Sequence, residues 1–405
     1  MSAIYPFAAL RPVPNAAAAV AAVPYDVVNT EEARALAAGN PLSFLHVSRP
    51  EIDLPHGANP YAEVVYELAT KNFARLKGDA PLVIEDVPSF YLYRLRMGAH
   101  VQTGMAACYS IDEYERDLIK KHEKTRPDKE DDRTRHMLAI GAQTGPVFLT
   151  YRASKAVDAI VARVVQQPPL FDFTAVDGVR HELWQVPAAE NQPIADAFAR
   201  IDCLYIADGH HRAASAARAR RTLKEKAAAP SVAAESEADR VLAVAFPDNQ
   251  MQVLPYNRVV TDLRGLTAAA FLDALKKKLP VRERGAATPS GKGSVAMYLA
   301  GAWYTIEMPT GDNALDVDLL QTAILEPLLG IGDVRTDKRI DFVGGIRGTS
   351  ELEQLVNAGK FAVAFSLYPV SVGDLMRIAD AGGIMPPKST WFEPKLRDGL
   401  LSHVI

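Results

Sequence analysis

What this chain has little of narrows the field first. Two cysteines, Cys108 and Cys203, stand in 405 residues. That number rules out a disulfide framework, and their apolar surroundings point to buried, reduced thiols of an intracellular protein. No apolar run is long enough to cross a bilayer, since Ala16 to Val23 is too short and too weakly apolar. The opening residues carry no basic region leading into an apolar one, so a cytoplasmic location and no membrane partner are expected. Charge of one sign is not in excess either. Lys and Arg number 45 against 49 Asp and Glu, a net −4, so nucleic acid is not an expected partner. The zinc spacings HExxH and CxxC are missing, and no metal ligand set is expected. A true Walker A loop is missing as well. Its near miss, Gly382 to Ser389, has Pro387 where the second glycine belongs, and proline removes both an N–H and the backbone freedom that a phosphate nest needs.

What is present is enough for two domains at roughly 150 residues each. The expected division is a domain over 1–250 and a C-terminal α/β domain over 251–405, with Ala227 to Asp239 as a loop. The most patterned stretch is Ile201 to Arg212 with the alanine-rich run after it. Apolar residues from Cys203 to Ala207 predict a buried strand, Asp208 stands where a helix N-cap would, and the alanines beyond Arg212 favour helix. With the strand from Val241 to Phe246, this predicts a βαβ-like unit whose motif lies at a strand's carboxyl end. A helix start offers free N–H groups and a positive dipole end, so Gly209, His210, His211 and Arg212 form a candidate anion site. Adjacent helical residues point about 100° apart, so His210 and His211 cannot both face one ion.

Other segments add candidates. Pro24 stiffens the backbone that presents Tyr25 and Asp26. Asp112 to Arg135 is expected as two charged helices broken at Pro127, with His122, Glu123 and Thr125 at the end of the first helix. Lys129, Arg133 and Arg135 supply cations for an arm closing over an anion. Ser43 to Val47 is expected as a strand carrying His46. Gly344 to Thr349 before a helix is a lone glycine pattern, and Lys388, Ser389 and Thr390 are held stiffly by two prolines.

Taken together, PYDVV at 24–28, HEKT at 122–125, ADGHHRAA at 207–214, RIDFVGG at 339–345 and MPPKSTWFEPKL at 385–396 resemble the prokaryotic family known as domain of unknown function one thousand and fifteen, over nearly the whole length. The Asp-Gly-His-His-Arg element also resembles the phosphate box of the ParB/sulfiredoxin superfamily, which includes free-serine kinases. The fold class expected is mixed α/β, ParB/sulfiredoxin-like in its N-terminal portion, with a second, smaller α/β domain. The resemblance implies a nucleotide-dependent phosphotransferase acting on free serine, phosphoserine or a similar small hydroxy compound, with ATP or ADP and Mg²⁺ as cofactors and a homodimer left open. It implies that Gly209, His210, His211 and Arg212 hold the phosphoryl group; Lys388, Ser389 and Thr390 are expected as further phosphate contacts from the stiff setting that two prolines give them and not from the resemblance. Asp208 would be a base or metal contact and Glu123 a second base. Tyr25, Asp26, His122, Thr125 and Arg133 would line the substrate pocket. A nucleotide-binding regulator without turnover and a metal-dependent phosphohydrolase are the alternatives.

Overall fold

The computed structural model describes residues 2–78, 82–226, 236–309, 311 and 314–405. Most of the expected loop at 227–239 lies outside them. The fold is mixed α/β and divides into two compact units, Met1–Met251 with Pro394–Ile405, and Gln252–Glu393. The last twelve residues, which the sequence reading kept with 251–393, therefore group with the first unit.

Nine strands form the main sheet of the first unit: β1 (Ile4–Tyr5), β2 (Tyr91–Met97), β3 (His100–Ser110), β4 (Ile119–Lys120), β5 (Val147–Tyr151), β6 (Phe171–Thr174), β7 (Arg180–Gln185), β8 (Leu204–Asp208) and β9 (Arg240–Pro247). Their order is β4-β8-β5-β9-β3-β2-β7-β6, with β1 paired on β3. β6 and β7 form a hairpin, and Gly178 supplies the positive φ at its turn. Strand β9 is apolar along nearly its whole length because it is buried on both faces at the centre of the sheet.

The βαβ-like reading needs correction. β8 runs antiparallel to β5, while β5 runs parallel to β9. The strands flanking the motif helix therefore run in opposite directions, with β5 inserted between them. The motif still lies at the carboxyl end of β8. Its helix, His210–Lys226, lays Ala213, Ala216 and Ala217 into the core beside Ile206 and Leu149. Small side chains at this i, i+3, i+4 spacing let the helix approach the sheet closely.

Two further expectations change. Ser43 to Val47 is not a strand, since Leu45–Ser48 is helical and His46 Nδ1 meets Asp53 Oδ1 at 2.8 Å. The charged stretch is not two solvated helices either. A short helix, Ile111–Glu115, gives way to β4 and then to coil through 122–126, and a second helix runs from Pro127 to Ile140. That second helix packs against the motif helix and buries Asp132, Thr134 and His136.

The second unit is built on six strands in the order Val281–Glu283, Ala302–Glu307, Ser294–Leu299, Val363–Ser366, Tyr256–Val260, Ile340–Gly344, all paired antiparallel. Its core gathers Val259, Tyr298, Val343, Leu352 and Phe361.

Candidate active site at a strand-to-helix junction

The junction is organised by a glycine and three charges. Gly209 has φ +93°, a conformation that side chains resist. A Cβ on it would lie 2.9 Å from Arg212 Nε. Glycine thus lets the Arg212 guanidinium fold back under the turn, where it donates to the Pro146 carbonyl and lies 3.8 Å from Asp208 Oδ2. Asp208 does not cap the helix as expected. It is the last residue of β8, its Oδ1 accepts the Gly209 N–H at 2.8 Å, and its Oδ2 holds Lys395 Nζ at 2.8 Å. Burial works against charge on Asp208, but Lys395 and Arg212 outweigh it and hold the carboxyl well below the usual range.

Arg212 is buried and therefore costly to charge, yet Asp26, Asp208 and Asp398 around it keep it cationic. Its Nε–H is buried with no partner among the described residues, an unmet donor at the base of the turn. Beside it lies a cavity of about 40 Å³ lined in part by Tyr25, Arg133, His136, Gly145, Arg212 and Asp398. That space takes a few waters. The Arg133 guanidinium stacks on the Tyr25 ring at 4.2 Å and bonds Asp132 at 2.8 Å.

The two histidines hold a loop. His211 Nε2 accepts the Arg126 N–H at 3.0 Å, and His210 Nε2 faces the His122 N–H at a long 3.4 Å. The 122–126 segment is thereby laid along the helix start, with the His122 and His210 rings edge to face at 4.5 Å. One ligating atom each from His122, Glu123 and His210 lie within 4.8 Å of one another. Burial keeps both imidazoles neutral, pulling His122 down to about 4 and His210 well below its ordinary value, the latter helped by His122.

Of the residues expected from sequence, the structure gathers Asp208, Gly209, His210, His211, Arg212, His122, Glu123, Tyr25 and Arg133 in the first unit, with Asp26 close enough to act on Arg212. Thr125 turns to Glu130. Lys129 and Arg135 do not supply the junction, because Lys129 bonds the Tyr61 hydroxyl and Arg135 pairs with Glu63. Lys388, Ser389 and Thr390 belong to the second unit. There Lys388 lies over the Tyr256 ring and Ser389 Oγ donates to the Pro386 carbonyl at 2.6 Å.

Sequence reasoning missed Lys395 and Asp398. The C-terminal segment delivers them by bridging Asp398 to Ala22 and Ser402 to Leu10. Gly145 allows this approach, since a Cβ there would meet Asp398 Oδ1 at 2.8 Å. Burial, together with the charge of Asp26, pushes the Asp398 carboxyl up to about 7 against the pull of Arg212. The only sequence signal was that Lys395 belonged to a motif already singled out.

Over residues 4–325 the sequence matches the family described as Protein of unknown function (DUF1015). No curated protein matches the chain. Among solved structures, it is similar to a free serine kinase in complex with AMP, at 14% identity and a TM-score of 0.38, covering 73% of this chain and 92% of that one. It is also similar to a conserved hypothetical protein from Pyrococcus furiosus, at 16% identity and a TM-score of 0.38, covering 73% and 94%. A third similarity is to SbnI with a C-terminal truncation from Staphylococcus aureus, at 12% identity and a TM-score of 0.38, covering 72% and 85%. Likenesses of this strength carry no functional argument.

Proposed function

The chain belongs to the DUF1015 family, and from that premise we propose that it is a nucleotide-dependent phosphotransferase acting on a small hydroxy compound, with free serine as the first acceptor to test. The observation that supports this reading is the junction itself. A helix start, an unmet Arg212 N–H and Lys395 converge where β8 ends, and a carboxylate, Glu123, lies within ligating distance of the same turn.

In this reading the first amides of the motif helix and Arg212 bind the phosphoryl group being transferred. Lys395 neutralises charge and holds Asp208 in place. Glu123 takes the proton from the acceptor hydroxyl, whose oxygen then bonds to phosphorus as the bond to the leaving phosphate oxygen breaks. His211 and the 122–126 segment, Thr125 included, form the wall on which the acceptor is placed, Tyr25 and Arg133 line the inner side, and Asp26 stands exposed beside them. The inner cavity is too small for a nucleotide, so ATP or ADP meets the junction from outside. Mg²⁺ prefers oxygen ligands, and Asp208 already spends its two oxygens on Gly209 and Lys395. The ion is therefore expected to arrive on the nucleotide phosphates, where it would neutralise charge.

The test is incubation of the full chain with serine and ATP or ADP, with phosphoserine measured by mass spectrometry. Phosphoserine is expected, formed about 100-fold or more slowly by Glu123→Gln. No product with either nucleotide, or an unchanged rate in Glu123→Gln, overturns the assignment. Calorimetric binding of nucleotide without turnover would favour the regulator instead.

A further inference from the structure

We infer that His122, Glu123 and His210 form a binding site for one divalent transition-metal ion of the zinc class, distinct from any magnesium carried by a nucleotide. The observation that points to a ligand is His122. Its side chain is 98% buried, at 2% exposure, with the Ile206 carbonyl acting on the ring as an acceptor and the other ring nitrogen left without a partner among the described residues. A buried ring nitrogen left unpaired is costly, and native structures avoid it unless something occupies the position. The ring is not isolated. A ligating atom of Glu123 and one of His210 lie with it inside a 4.8 Å span, so the donors need to close by no more than about 1.5 Å to hold one tetrahedral ion at bond lengths near 2 Å.

The donor set selects the ion. Two imidazoles and one carboxylate suit zinc, cobalt or a related first-row metal, whereas magnesium and calcium require oxygen ligands. Three protein ligands leave coordination positions open, as in metal sites that bind a further small ligand. Adjacent histidines on one helix still cannot share an ion. Only His210 of the pair takes part, and the ligands lacking in its own motif come from a segment 88 residues earlier in the chain.

The site does not depend on the transferase reading. If both hold, an ion on Glu123 occupies the carboxylate proposed as the base, so zinc and transfer compete for it.

The test uses the full, untagged chain, stripped with a chelator and titrated with Zn²⁺ and with Co²⁺, alone and with excess Mg²⁺. One ion per chain is expected, unaffected by Mg²⁺, with a visible Co²⁺ ligand-field band. His122→Ala and His210→Ala are each expected to weaken binding by at least tenfold, and Glu123→Gln to do the same while leaving the side-chain volume in place. His46→Gln and His56→Gln, at two other histidine–carboxylate pairs, are expected to bind as the native chain does. Sub-stoichiometric binding, native affinity in both His122→Ala and Glu123→Gln, or loss of binding in His46→Gln overturns the site. Because these readouts need no substrate, a protein that binds zinc through His122 but, once stripped of zinc, forms no phosphoserine refutes only the transferase reading.

Discussion

Two strand-to-helix junctions in this chain carry nearly the same local signal and differ in what surrounds them. In the first unit β8 ends at Asp208 and Gly209 opens a helix of seventeen residues. In the second unit the strand Ile340–Gly344 runs through Gly345–Arg347 into the helix Gly348–Asn357. Both read as glycine turns before a helix. At the first, the space that glycine leaves is filled by a guanidinium, and charge gathers there from three distant segments, at Asp26, at Arg133, and at Lys395 with Asp398. At the second, the space is filled by packing: a Cβ on Gly344 would lie 2.8 Å from the Trp391 ring, and one on Gly345 would lie 2.7 Å from the Pro255 carbonyl. Ile346 beside it is 52% exposed. A glycine turn becomes a chemical site only where other elements bring charge to it. Where they bring apolar rings and backbone, the same glycine serves close approach.

The comparison can be broken most sharply at Asp208. Asp208→Ala leaves Lys395 and Arg212 facing each other without their carboxylate, and should cost about 3 kcal/mol in urea unfolding, in the range for half of a buried ion pair. A change under about 1 kcal/mol would mean that the pair is solvated and that the first junction is no more special than the second. Gly209→Ala comes next. It forces a side chain to φ +93° and displaces Arg212, so about 2 kcal/mol should be lost, and nucleotide binding by calorimetry should disappear. Gly344→Ala should destabilise by a similar 1–3 kcal/mol through overpacking, yet leave nucleotide affinity unchanged. Loss of binding in both glycine variants would erase the distinction drawn here.

Asp398 offers a pH test of the first junction. Its carboxyl titrates near 7 in the folded chain and near 4 when unfolded. The folded state thus holds the extra proton between these values, and the contribution is present below pH 4 and lost as pH rises through 7. Asp398→Asn should remove that loss, so its stability relative to the native chain should rise from pH 4 to pH 7 by at least about 1 kcal/mol. Parallel stability curves for the two proteins would show that Asp398 is not buried against Asp26 as described. The smallest effect is expected at Lys129→Ala and Arg135→Ala, whose partners lie away from the junction. Each should change stability by under about 0.5 kcal/mol and leave nucleotide binding intact.

Much of the first junction was legible because its signals are local. Apolar residues before Asp208, the glycine and the alanines after Arg212 each act within a few residues of themselves, so strand, turn and helix could be placed in order. The β6–β7 hairpin carries a comparably local signal in Asp177-Gly178 at its turn. Ser43 to Val47 was misread because an apolar run of that length fits strand or helix, and packing decided for helix. The βαβ-like reading failed for a related reason. Strand direction depends on which strand is inserted between neighbours, and nothing within Leu204–Asp208 encodes the presence of β5.

The sequence by itself determined that a strand gives way to a helix at Asp208-Gly209-His210, that glycine is needed at that turn, and that imidazoles and a guanidinium stand there. These follow from side-chain volume, backbone freedom and helix propensity, which are short-range properties. Only the tertiary structure decided what those groups face. It brought His122 and Glu123 onto His210, turned Arg212 inward among carboxylates, and returned the last twelve residues to the first unit, where Lys395 and Asp398 complete the junction. Such pairings depend on chain crossings between segments far apart in sequence, and their strength comes from burial and low polarisability around the charges, conditions that arise only once the chain has packed.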